Sequence, residues 1–126
     1  MMRVYLHDNY GISKRRYQEL YAFCRQYDEW KRDLQECYRV LPPIPHAVRS
    51  SDISDPTALA AIRAERLHRN IELVERAAVD AEPAIAGYIL KNVTQGLPYE
   101  CLDIPAGRRQ FYTARRKFFW LLDRRR

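Results

Sequence analysis

Apolar residues recur every three or four positions over most of this chain, the period of helices and not of strands. From Ser13 to Val40 the row Tyr17, Leu20, Cys24, Tyr27, Leu34, Tyr38 and Leu41 makes one stripe, interrupted by Lys31 and widened by Phe23, Trp30 and Cys37. Arg25, Asp28, Arg32 and Glu36 fall on the other faces. The pattern predicts one long amphipathic helix, opened by the Ser13 hydroxyl as N-cap. Pro42-Pro43-Ile44-Pro45 stops it, because proline has no amide to donate and clashes with the preceding turn. The stretch 42–54 has no period and reads as a loop, long for a compact domain.

Asp55-Pro56 restarts the helix, with Asp as cap and Pro where an amide has no partner anyway. Ala60, Ala64, Leu67, Ile71, Val74, Ala78 and Ala81 then run in an unbroken three-four row. The simplest arrangement is an antiparallel hairpin, the aromatics of the first helix packing over the alanines of the second. The same seam also suits pairing of two copies into a homodimer.

Glu82-Pro83 marks a further boundary, and Ile85, Ala86, Ile89, Leu90 and Val93 predict a short helix ending near Gly96. Pro98 to Leu102 follows, then a break at Ile104-Pro105-Ala106-Gly107, then a final helix with Phe111, Phe118 and Leu122 on one stripe and Ala114 and Leu121 beside it. The first dozen residues read as an irregular lead-in. The expected fold is therefore all-α: a lead-in over 1–12, a two-helix antiparallel arm over 13–81, and a compact helix-turn-helix-like unit over 82–126.

Charge changes this picture at one end. Residues 107–126 hold eight Arg or Lys against Asp123, a net +7, while the whole chain of 126 residues carries +6. Residues 1–106 are thus at −1, and the imbalance points to a polyanion as partner. A helix, a break with Pro and Gly, and a helix beginning Arg108-Arg109-Gln110 is the order of a helix-turn-helix, whose second helix sets its first side chains against base edges. Arg108, Arg109, Gln110, Thr113 and Arg116 are the expected base readers, since arginine suits guanine and glutamine suits adenine. Arg115, Lys117, Arg124, Arg125 and Arg126 are the expected phosphate contacts. The same composition would also suit a solvated amphipathic helix or, through Phe118-Phe119-Trp120-Leu121-Leu122, one lying on an anionic membrane.

Other chemistry is not indicated. His7, His46 and His68 lack ligand spacing, so no metal is expected. The four glycines form no phosphate-cradling loop, so no cofactor is expected. Ser50, Ser51, Asp52, Ser54 and Asp55 read as turn and cap residues, and no enzyme is indicated. Cys24, Cys37 and Cys101, an odd number without a CxxC pair, read as reduced thiols of a cytoplasmic protein. No apolar run is long enough to span a membrane.

Tyr17 and Trp30 in a long first helix, Ser54-Asp55-Pro56-Thr57-Ala58, Gly96-Leu97-Pro98-Tyr99, and the run from Arg108 to Phe119 resemble small regulators of phages and prophages of Gram-positive bacteria. The ArpU-like and RinA-like late-gene transcription regulators are the groups most similar, over about Tyr17 to Leu122, with a C-terminal part similar to region 4 of sigma-70 factors. The resemblance implies a late-gene activator that binds double-stranded DNA and acts with host RNA polymerase, with Arg108, Arg109, Gln110, Thr113 and Arg116 on its recognition helix. Sigma-like units have a longer helix before the turn, so here either that helix is shortened or the Ile85 to Thr94 helix takes its place. The alternatives of different class are a small-terminase-like DNA-packaging adaptor and an interaction module that never touches DNA.

Overall fold

A computed structural model describes residues 11–40 and 56–126, so the loop at 42–54, the Asp55 cap, His7, His46 and most of the lead-in lie outside the described residues. The described residues are all-α: α1 (Lys14–Cys24), α2 (Tyr27–Val40), α3 (Pro56–Ala81), α4 (Ala86–Gln95) and α5 (Arg108–Arg125), with 3-10 turns at Pro83–Ile85 and Tyr99–Cys101. Ser13 caps α1 as expected, its Oγ accepting the Arg16 amide at 3.1 Å.

The expected single first helix is bent. At Gln26 the amide reaches Phe23 O at 3.2 Å, an i→i−3 bond, before the four-residue ladder resumes from Trp30 N–H to Gln26 O. One tightened turn redirects the chain with neither proline nor glycine present. α2 then runs along α3 while α1 packs against α4 and α5. The tilt also moves the buried stripe onto Tyr27, Trp30, Leu34 and Cys37, leaving Tyr38 half exposed.

α2 and α3 form the expected antiparallel hairpin. Tyr27 donates to Glu75 near one end, Tyr38 meets His68 and Asp33 pairs with Arg63 nearer the other. From α3, Ala64, Leu67, Ile71, Val74, Ala78 and Ala81 are buried as the row predicts, joined by Ala77, whereas Ala60 is only partly covered. α5 packs chiefly on α3 and less on α1 and α4. The core therefore runs without interruption from Ile12 through the arm to Leu122, across the boundary drawn at residue 81. Phe111, Phe118, Phe119 and Leu122 are fully buried, each stabilising by about 1.5–3 kcal/mol relative to exposure. The apolar run at 118–122 belongs to this core, and among the described residues no helix is long and apolar enough to cross a membrane.

Candidate nucleic-acid interface

The break before α5 is built by local chemistry. α4 ends on Gly96, whose φ of +75° suits a residue without Cβ, and its amide returns to Asn92 O at 3.0 Å. Tyr99–Cys101 is a single 3-10 turn, so the nearest full helix before the break is α4. Asp103 adopts a left-handed φ of 54°, and Tyr99 Oη closes the loop by donating to Ala106 O at 2.6 Å. The Tyr99 ring lies 5.5 Å from Phe111, tying the break to the core. Gly107 has no side chain to cap α5, and no acidic residue occupies its first turn. Arg108 and Arg109 thus lie at the positive end of the helix dipole, which disfavours them unless a nearby negative charge offsets it.

The middle of α5 overturns one expectation. Arg115 is not a phosphate contact; it is 6% exposed. Its Nε donates to Asn92 Oδ1 at 2.6 Å and its Nη2 to Tyr17 Oη at 2.9 Å. The guanidinium also sits 4.9 Å from the Phe119 ring centre, with Tyr17 and Tyr21 at 5.7 and 5.8 Å. Helix geometry explains this, because residue 115 follows Phe111 by four positions and Phe118 and Leu122 follow it by three and seven. Asn92 in turn donates to Leu97 O at 2.8 Å. One buried cation thus joins α1, α4 and α5 and fixes the turn that leads to α5.

The other proposed readers separate. Arg109, Gln110 and Thr113 are exposed and share an open trough of about 400 Å³ with Lys117, between α5 and Ala81–Glu82 at the end of α3. The side chains of Arg109, Gln110 and Lys117 make no hydrogen bond or ion pair with the described residues. Lys117, expected on phosphate, thus stands beside three of the expected base readers. Arg108 points elsewhere, stacked on Tyr99 and Tyr112 at 5.1 and 5.7 Å and ion-paired with Glu100. Arg116 is half-buried and donates to Thr113 Oγ1 at 3.1 Å.

The terminal arginines are about 22 Å along the helix from Arg109, given a rise of about 1.5 Å per residue. Arg125 pairs with Asp80 at 2.9 Å, Arg124 lies 4.9 Å from the Trp120 ring centre and Arg126 4.1 Å from that of Phe23. Their charge remains exposed, but each stem is held against the protein.

Sequence reasoning missed Glu82 and Asn92. Asn92, a polar residue beside Val93 on the apolar face of α4, carried a readable signal. Glu82 carried none, since only the fold brings it to a helix 27 positions later. Among the described residues no cluster of His, Cys, Asp and Glu could hold a metal. No family profile, curated protein or solved structure matches this chain.

Proposed function

We propose that this protein binds double-stranded DNA by setting the front of α5 into the major groove, as a transcription regulator of phage type in the host cytoplasm. The observation that carries the reading is the trough: Arg109, Gln110, Thr113 and Lys117 converge on one face with donors left free. These side-chain types suit base edges, and α5 is held by a rigid core that keeps them in place. The +7 charge of residues 107–126 supplies attraction to phosphate. The resemblance to ArpU-like and RinA-like regulators favours late-gene control through host RNA polymerase. A second reading, an assembly or packaging adaptor, is favoured by the exposed apolar residues Tyr38, Val40, Leu59 and Ile62 at one end of the arm. A ring of many subunits in solution would select it.

The test is selection of bound sequences from a random DNA pool, followed by titration of the winner. Arg109→Ala with Gln110→Ala should weaken that site by roughly 10-fold or more, at about 1–3 kcal/mol for each good bidentate contact. Helical content should not change. No retention of DNA at low salt by the unaltered protein would overturn the proposal.

A further inference from the structure

The trough is not simply basic. Glu82 lines it together with Arg109 and Lys117, yet among the described residues it makes no ion pair with either. Its backbone is fixed: φ is −165°, Pro83 follows, its amide bonds Ala78 O at 3.2 Å and its carbonyl accepts Ile85 N–H at 3.2 Å. The carboxylate takes one long bond, 3.4 Å from the Ala84 amide through Oε2, and the second oxygen has no donor among the described residues. Capping alone does not account for a glutamate, since Ser, Asp, Asn and Thr are the residues that cap well. A bare phosphate would meet this carboxylate as a repulsion. A ligand that satisfies the trough must offer acceptors to Arg109 and Lys117 and a donor to Glu82 within a short distance. A G·C pair seen from the major groove offers this set, with guanine O6 and N7 as acceptors and the cytosine N4 amine as donor.

We infer that Glu82 reads sequence, accepting a cytosine N4 amine within one base step of the guanine held by Arg109, and so turns a basic trough into a selective one. The inference rests on the proposed DNA binding. The test compares sequences selected by the unaltered protein, by Glu82→Gln and by Glu82→Ala, with Glu65→Gln on exposed α3 surface as a control for net charge. Glu82→Gln keeps an oxygen for the Ala84 amide, and its melting midpoint reports that it is folded. The expected result is loss of preference at one G·C position by about 10-fold in Glu82→Gln and Glu82→Ala alike. Affinity for random DNA should rise no more than it does in Glu65→Gln. An unchanged selected site, or a larger gain for random DNA than the control shows, would make Glu82 a repulsive acid and overturn the inference. If the unaltered protein retains no DNA, the underlying reading fails instead.

Discussion

Arg109 and Arg115 lie on the same helix, six residues apart, and do opposite work. The first stands exposed in a trough with no side-chain hydrogen bond or ion pair among the described residues, whereas the second is buried among Tyr17, Tyr21, Phe119 and Asn92. Composition counts them as two equal positive charges. The difference teaches that a basic helix has to be divided by face before its arginines are assigned to a ligand. An arginine whose hydrogen bonds and aromatic contacts are satisfied internally adds shape and rigidity, and only an unengaged one can give its donors away.

The sharpest way to break this comparison is Arg115→Ala. It removes a buried side chain and leaves Asn92 and Tyr17 without their charged donor, so stability should fall by about 2–4 kcal/mol in urea unfolding. Arg109→Ala, alone or with Gln110→Ala, should shift stability by no more than about 0.5 kcal/mol while weakening binding to the selected site by roughly 10-fold or more for the pair. Equal stability losses for the two arginines would erase the contrast. Tyr17→Phe takes away only the hydroxyl that accepts from Arg115, for an expected cost of about 1–2 kcal/mol with the fold intact.

A separate effect is expected in alkaline solution. Burial pushes the Cys24 thiol up to about 12 from its ordinary 9.0, partly offset by the charges of Arg115 and Arg126. Burial, then the bond to Glu75, also raises Tyr27. In both cases the folded state holds its proton to higher pH than the unfolded chain does. Their contribution is complete below about pH 9 and is lost as pH rises towards 12. Urea midpoints measured from pH 8 to 11 should fall, and Cys24→Ala should flatten the decline.

Much of the architecture was legible because helices announce themselves locally. The α3 alanine row, the Ser13 cap, the Gly96 stop and the Phe111, Phe118 and Leu122 stripe all follow from a 3.6-residue period and from residues with one preferred backbone role. The bend at Arg25–Gln26 was not legible, since it answers the need of α1 and α2 to cover different partners. The 3-10 form of Tyr99–Cys101 was anticipated only as a segment too short for an ordinary motif helix.

The candidate site divides in the same way. The run from Arg108 to Lys117 pointed to α5, and the trough brings together Arg109, Gln110, Thr113 and, unexpectedly, Lys117. Arg115 was misread because its burial depends on Tyr17 and Asn92, 98 and 23 positions away. By itself the sequence determined all-α character, most of the helix limits and a positive C-terminal end, all properties of short-range spacing and charge. Tertiary structure alone decided which arginine is core and which is unengaged among the described residues, and that Glu82 shares a trough with Arg109. Those outcomes depend on how α3 and α4 meet α5, and no local pattern encodes such a crossing.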